Sequence, residues 1–279
     1  MINVAVIMSV YKSDDLSYLK SAVDSIFLQS YQCIDLFIYR DGEVGDNLQK
    51  YLDFLSNYHN VKVYFSAHNQ GLAHALNFLI EKVLVCEKYK FIARMDSDDI
   101  SHPARIRKQV NFMIRNLKTD VCGTACREFG SSFAMKEKTL PLNHEELIDL
   151  SITNCPFVHP SVLFRREVFI NGARYPEHTS YTEDMALWFL LLEKGFHFSN
   201  LPDVLLSYRV NENMLSRRKG IKKALSEIKI RLKYMVKLKR VSVRNVILIS
   251  LRLFFHLLPT SVMSFAYKKV RHVYMYKGK

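Results

Sequence analysis

Four short apolar runs, separated by helical patterns, are the strongest constraint on what this chain can fold into. The runs are Val4-Ala5-Val6-Ile7-Met8-Ser9, Ile34-Asp35-Leu36-Phe37-Ile38-Tyr39, Val61-Lys62-Val63-Tyr64-Phe65 and Tyr89-Lys90-Phe91-Ile92-Ala93-Arg94-Met95. Between them, Leu16, Leu19, Val23, Ile26 and Phe27 share one helical face, Leu48, Leu52 and Leu55 a second, and Leu72, Ala75, Leu76, Leu79 and Val83 a third. Strands alternating with helices imply an α/β fold with a mostly parallel sheet covered on both faces. Ligands of such sheets bind beyond the carboxyl ends of the strands.

Those ends are polar. The first run is followed by Ser9-Val10-Tyr11-Lys12 and the second by Arg40-Asp41-Gly42. The third leads to His68-Asn69-Gln70-Gly71-Leu72 and the fourth to Asp96-Ser97-Asp98-Asp99. Any one of these reads equally well as a turn, because turns need Asp, Asn and Gly. Their recurrence at four successive strand ends implies one shared cleft. Beyond residue 100 the pattern loosens. Helices are expected over 103–117, over 144–151 and over 181–194, the last closed by Gly195, and a late strand over 204–208.

Asp96, Asp98 and Asp99 put three carboxylates within four residues, which repel one another unless a cation sits among them. Hard divalent ions such as Mg²⁺ or Mn²⁺ take such oxygen ligands. An Asp-rich turn leading into a helix, capped by Asp99 or Ser101, fits the same spacing. Glu183-Asp184 stands where a helix begins, and the helix dipole favours acids there. A carboxylate at that place can also act as a general base. His159-Pro160-Ser161 reads as a structural turn or as a weak metal or phosphate contact. There is no Gly-x-Gly-x-x-Gly fingerprint, no Gly-x4-Gly-Lys-Ser/Thr phosphate loop and no Gly-x-Ser-x-Gly elbow.

The ordered set Ser9-Val10-Tyr11, Arg40-Asp41-Gly42, Asn69-Gln70-Gly71-Leu72-Ala73-x-Ala75-Leu76-Asn77, Asp96-Ser97-Asp98-Asp99-x3-Pro103-x-Arg105 and Thr182-Glu183-Asp184-x3-Trp188 resembles family 2 glycosyltransferases of the GT-A fold. The resemblance covers roughly residues 3–216. It implies an inverting transferase that uses a nucleotide-diphosphate sugar. More narrowly, the chain is similar to bacterial enzymes of O-antigen or capsule assembly, which extend a sugar on a diphospho-polyprenol carrier. The implied donor is a UDP-hexose, galactose or glucose, and the implied cofactor is Mn²⁺ or Mg²⁺. Residue by residue, the resemblance implies that Ser9 and Tyr11 lie against the base and ribose, and that Asp41 meets the uracil edge. It implies that Asn69 and Gly71 shape the adjoining wall, and that Asp96 contacts the ribose or sugar. Asp98 would bind the metal. Arg105 would sit near the diphosphate or support its loop. Asp184 would be the base, Glu183 would hold the acceptor, and Trp188 would pack its helix into the core. Many relatives carry Tyr-Arg-x-His where this chain has Tyr208-Arg209-Val210-Asn211, so Asn211 is a weaker candidate for a metal contact.

The charge is divided unevenly. Residues 217–279 hold 18 basic residues and one acid, Glu227, whereas residues 1–216 hold 22 basic and 26 acidic ones. Two units follow: a catalytic domain over 1–216 and a basic, apolar helical extension over 217–279. In that arm Ile221, Leu225, Ile228, Leu232 and Met235 share a helical face. The apolar run Val246 to Leu258 is broken by Arg252, His256 and Pro259. A membrane span needs ~20 predominantly apolar residues, so the run points to helices lying on an anionic membrane surface, or to a helical cap on the domain. Nucleic acid is not expected, because Phe254 and Phe255 sit in a Leu/Ile-rich stretch rather than among basic residues. Five cysteines without zinc spacing read as free buried thiols, and Met1 to Val6 lacks signal-peptide character. The expected place is therefore the cytoplasmic face of a bacterial inner membrane. Other readings of the same residues are a non-catalytic nucleotide-sugar or polyanion binder, a transferase of another UDP-sugar such as GlcNAc, and a nucleotidyltransferase, although the last would want a Gly-rich basic loop after the first strand.

Overall fold

A computed structural model describes residues 2–179, 182–212 and 221–257. The first apolar run forms β1 (Asn3–Tyr11), whose residues 4–8 are fully buried because helices cover both faces of the sheet. Val4, Val6, Met8 and Val10 point into one core with α1 (Leu16–Phe27), α2 (Asp46–Leu55) and α4 (Arg105–Arg115). Ala5 and Ile7 point into the other, with α3 (Leu72–Leu84), α6 (Arg166–Ile170) and α7 (Glu183–Glu193). This alternation is the period-2 consequence of an extended strand between two apolar layers.

The runs at 34, 61 and 89 become β2 (Ile34–Asp41), β3 (Val61–Ser66) and β4 (Tyr89–Arg94). They lie parallel to one another in the order β3-β2-β1-β4, with Val6 opposite both Leu36 and Ala93. The expected parallel sheet is thus present in this half. The other half mixes directions. β7 (Leu163–Arg165) runs antiparallel to both β4 and β6 (Val121–Phe129), β8 (Phe198–Arg209) is parallel to β6, and β5 (Ile100–Ser101) is antiparallel to β8. The full order is β3-β2-β1-β4-β7-β6-β8-β5, a mixed eight-stranded sheet. The late strand is twelve residues long rather than five, because β6 pairs with it along its length and carries it to Arg209. Pro103 precedes α4, and α5 spans His144–Thr153. The helix expected from Tyr181 begins at Glu183; Tyr181 itself lies outside the described residues.

None of the five cysteines is paired in a disulfide. Cys122 and Cys126 are buried as expected, but Cys86 is exposed, because it follows the last turn of α3 on the surface.

The arm contributes α8 (Ile221–Lys237) and α9 (Val243–Leu257). The remainder of the expected apolar run, from Leu258 onward, lies outside the described residues, as does Ser216 at the expected boundary. One face of the arm is a cap. Tyr234, Met235 and Ile249 pack on Ile152 of α5 and on Met185 and Phe189 of α7, and the Phe189 and Tyr234 rings stack 4.8 Å apart. Arg231, 1% exposed, donates to the carbonyls of Ser151 (2.9 Å) and Ile152 (3.0 Å) and pairs with Glu227 at 2.8 Å. Arg252 donates to Glu227 at 2.7 Å and to the Thr153 carbonyl at 2.8 Å. Two arm arginines therefore satisfy the last carbonyls of α5, where a helix dipole favours cations. The opposite face leaves Leu225, Val236, Val243, Ile247 and Leu251 more than half exposed. Among the described residues, no helix is long and apolar enough to cross a membrane.

Arg231→Ala removes a buried partner of Glu227 and uncovers two helix-end carbonyls. Its loss should lower unfolding free energy by about 3 kcal/mol, read by urea denaturation. A loss below about 1 kcal/mol would show that the arm is not tied to α5 in this way.

Candidate active site

Because β1, β2 and β4 are parallel, their carboxyl ends open on one edge of the sheet. There Tyr11 and Asp41 are register partners, and Ser9 pairs with Tyr39. Ser9 and Tyr11 are half-buried, with one side of the strand end left open.

Asp41 is 2% exposed, and its carboxylate is engaged by the 69–71 loop. Oδ1 accepts from the Gln70 amide at 2.7 Å. Oδ2 accepts from the Gly71 amide and from Asn69 Nδ2, both at 2.9 Å. Asn69 Nδ2 also donates to the Asp41 carbonyl at 3.1 Å. Gly42 has φ +87°, and a Cβ there would lie 2.8 Å from the Asn69 nitrogen, so only glycine lets the loops approach. Gly71 has φ +91° and starts α3. Two motifs that look separate in the sequence are one interlocked wall. Asp41 braces that wall, with three of its lone pairs already used, before it could meet any base.

The acidic loop lies beside it. A carboxylate oxygen from each of Asp96, Asp98 and Asp99 lies within 4.8 Å of the others. Asp14 ties this loop to the end of β1: its Oδ2 accepts from the Tyr11 amide at 3.0 Å and from Ser97 Oγ at 2.9 Å. Burial, followed by the charges of Asp96 and Asp14, pushes Asp98 up to about 7. Burial, with Asp96 and Asp98 beside it, also holds Asp99 well above the usual carboxylate range. Asp99 is fully buried; its Oδ1 accepts from the Arg209 amide at 2.7 Å, and its Oδ2 has no hydrogen-bond partner. Asp96 and Asp98 are half-buried and are the carboxylates that can face a ligand. Close-set oxygen donors carrying an unsatisfied carboxylate oxygen fit a hard divalent cation.

Three arginines offset this crowding. Arg94 pairs with Asp96. Arg209 Nε donates to the Asp98 carbonyl at 2.9 Å, and its guanidinium lies over the rings of Tyr18 (3.6 Å) and Phe129 (4.4 Å). Arg105 is fully buried and donates to the Arg94 carbonyl at 2.7 Å and to Gln109 Oε1 at 3.1 Å. Burial pushes it down to about 10. Of its two expected roles, contact with a diphosphate would need an exposed guanidinium; its hydrogen bonds are those of loop support. Asn211 is exposed just past the end of β8.

The facing wall carries Glu183 and Asp184, both half-buried in the first turn of α7, and the Met185 amide donates to Asp184 Oδ1 at 2.7 Å. Trp188 anchors this helix, 1% exposed among Phe157, Phe164 and Phe198. Asn77 of α3 fixes the approach to α7. Its Nδ2 donates to the Tyr175 carbonyl (2.9 Å) and its Oδ1 accepts from the Tyr175 amide (2.8 Å). The Tyr175 phenol is buried and 2.9 Å from His159 Nε2. Burial pushes it up; the Arg94 charge opposes this, and Asp184, Asp96 and Glu183 add to it. One buried phenol thus feels charges from both the acidic loop and the start of α7. Burial and then Arg94 hold His159 well below the usual range, so it is a neutral ring bonded to Tyr175 rather than a cationic phosphate contact.

A cavity of about 390 Å³ adjoins the cleft between the β1 turn and the start of α2, with Lys12, Asp14, Asp46 and Asn47 in its lining. A second cavity, about 340 Å³ near Phe27, Tyr31 and Tyr58, lies at the amino end of β2, away from the carboxyl ends of the parallel strands. Arg94, Arg209, Asp14 and Tyr175 were not singled out from the sequence. The signal available for Arg94 was a cation inside an apolar strand run, and for Arg209 its place in Tyr208-Arg209-Val210-Asn211.

Residues 5–172 match the model of glycosyl transferase family 2. Two curated relatives align over nearly the whole chain. The amylovoran biosynthesis glycosyltransferase AmsE of Erwinia amylovora is 30% identical, covering 96% of this chain and 98% of its own. The UDP-Gal:alpha-D-GlcNAc-diphosphoundecaprenol beta-1,3-galactosyltransferase of Escherichia coli is 31% identical, covering 95% of each. Among solved structures, S. aureus TarS 1–349 in complex with UDP-GlcNAc superposes with a TM-score of 0.64 at 14% identity, covering 91% of this chain and 72% of that one. That likeness shows the fold.

The Asp98 shift fixes a pH dependence. A cation binding there must displace a proton below about pH 7. Mn²⁺ affinity should therefore rise about tenfold per pH unit up to about 7 and then level off, read by electron paramagnetic resonance of free Mn²⁺. In the metal-free protein the sign is opposite to that of a paired surface acid. The Asp98 contribution is fully present below the ordinary carboxylate value of 3.8 and is lost as pH rises through about 7. Affinity that is flat from pH 5.5 to 8 would contradict both.

Proposed function

The chain belongs to glycosyl transferase family 2, and from that premise we propose that it moves a hexose from a UDP-sugar to a sugar-diphospho-polyprenol acceptor, with inversion, in bacterial surface polysaccharide assembly. The observation that carries this reading is the close-set Asp96, Asp98 and Asp99 cluster past the carboxyl end of β4, together with Glu183 and Asp184 in the first turn of α7. The near full-length likeness to a galactosyltransferase named for a GlcNAc-diphosphoundecaprenol acceptor supports the donor and acceptor class.

In this reading Ser9, Tyr11 and the wall of Asp41, Asn69 and Gly71 seat the nucleotide. Asp98 is the principal ligand of a Mn²⁺ or Mg²⁺ ion, and Asp96 faces the sugar. Bound there, the ion supplies Lewis-acid neutralisation of the departing nucleoside diphosphate. Asp184 accepts the proton of the acceptor hydroxyl as that oxygen attacks C1 on the face opposite the leaving group. Glu183 holds the acceptor, and one displacement inverts the anomeric centre. Asp184 suits the role because it stands at a helix N-terminus, where the dipole favours its ionised form. Arg105 supports the loop from beneath, and Asn211 is left as a peripheral contact.

The arm supports a membrane-side acceptor. Its exposed Leu225, Val236, Val243, Ile247 and Leu251 lie on helices that also carry Lys229, Lys233 and Arg244. Such a surface fits the headgroup region of an anionic leaflet, with the lipid-linked acceptor delivered beside α7.

Asp184→Asn should cut kcat by about 10²–10⁴-fold while UDP binding by calorimetry stays within about threefold. An equal loss in both would make Asp184 a donor-binding or structural residue. Co-sedimentation with anionic vesicles should weaken with salt yet leave a salt-resistant remainder; no binding to vesicles of any charge would remove the membrane from the account.

A further inference from the structure

We propose that Arg94 is a positioning residue for sugar transfer: its guanidinium holds the Asp96 carboxylate on the donor side of the cleft, and turnover depends on that hold. The proposal rests on the reading of the cleft given above.

Arg94 closes β4 and is 2% exposed. Its Nη2 pairs with Asp96 Oδ1, while Nε and Nη1 are buried without a hydrogen-bond partner. A guanidinium buried with two nitrogens unsatisfied is a cost to folding, not a gain. Arg105 makes the contrast. It is equally buried, and its three nitrogens reach Gln109, the Met95 sulfur and the Arg94 carbonyl. Arg105 has the environment of a structural arginine; Arg94 does not. What Arg94 does hold is a carboxylate whose side chain is 30% exposed, whereas its own is 3% exposed. It cannot reach a ligand itself and acts through Asp96.

The geometry gives that hold a purpose. A carboxylate oxygen of Asp96 already lies within 4.8 Å of oxygens of Asp98 and Asp99, and without a cation at its side their charges would push it away. Tied by one oxygen to Arg94, Asp96 is held in that cluster. The Arg94 charge also acts on His159 and Tyr175, which are bonded to each other at 2.9 Å.

The test uses the full chain with Arg94→Met, Arg94→Lys, Asp96→Asn and the double variants, reading kcat, UDP affinity and Tm. Arg94→Met leaves Asp96 without its partner beside Asp98 and Asp99 and should lower Tm by several degrees, so kcat is read well below that Tm; in the Asp96→Asn background the same substitution should change Tm little. UDP affinity should stay within about threefold while kcat falls at least about 50-fold. Arg94→Lys, which keeps the charge, should recover part of that loss. Arg94→Met in the Asp96→Asn background should cost almost nothing further, because the two act as a unit. Wild-type kcat in Arg94→Met, a kcat loss that only tracks a lowered Tm, or multiplicative losses in the double variant would each overturn the proposal. Should Arg94→Met fail to fold, the same cycle built on Arg94→Lys decides in the same terms. An inactive wild type would instead overturn the transferase reading, which separates the two failures.

Discussion

Three carboxylates cannot all ionise in a few ångströms of half-buried space, and the centre of this protein is arranged around that fact. Asp96, Asp98 and Asp99 sit at the end of β4, where the chain leaves the apolar layer. The crowding is relieved in three different ways. Asp96 is paired to Arg94, Asp99 is buried on the Arg209 amide and driven toward its neutral form, and Asp98 is left poised near neutrality. The cluster is held by different parts of the fold: β4 through Arg94, the end of β8 through Arg209, and the β1 turn, whose Asp14 accepts from Ser97 while its charge adds to the push on Asp98. A site that needs three elements to hold it is rigid by construction, which is what catalysis by positioning and electrostatics requires.

The two walls of the cleft are fixed by different means. On the nucleotide side the fixing is polar and local, with Asp41 gripping the 69–71 loop and Gly42 allowing the approach. On the acceptor side it is packing: Trp188 and Leu187 bury α7 in the sheet, Asn77 pins the approaching segment, and the arm covers Met185 and Phe189. In the proposed reading the arm is then part of the acceptor wall as well as a surface for lipid. The helix that carries Asp184 is packed against the same helices that present an apolar face outward, so in that reading acceptor delivery and base placement share a scaffold.

Much of this was legible in the sequence. Four short apolar runs alternating with helical patterns, and polar residues after each, marked the parallel half of the sheet and the cleft at its edge. What was not legible is pairing at long range. Arg94 reads as one cation in an apolar run, and its partner Asp96 is hidden within a motif that already has an explanation. Arg209 meets Asp98 and Asp99 across about 110 residues of chain. Nothing in local spacing announces that contact. Of the mixed half only the late strand was read, within β8; β7 and β5 have three and two residues, too short to leave a pattern. In the arm, the excess of basic residues pointed outward to an anionic partner, yet Arg231 and Arg252 turn inward to the end of α5. Counting charges along a helix does not reveal which of them cap another helix.

The central claim is that the acidic loop at the end of β4 and the 69–71 wall form one donor site. A crystal of the protein grown with Mn²⁺ and UDP, measured for manganese anomalous scattering, tests it most directly. The account predicts a single strong peak within coordination distance of an Asp98 carboxylate oxygen, next to the diphosphate, with the uracil against Tyr11 and the 69–71 loop. A peak elsewhere, or UDP bound away from that edge of the sheet, would contradict it.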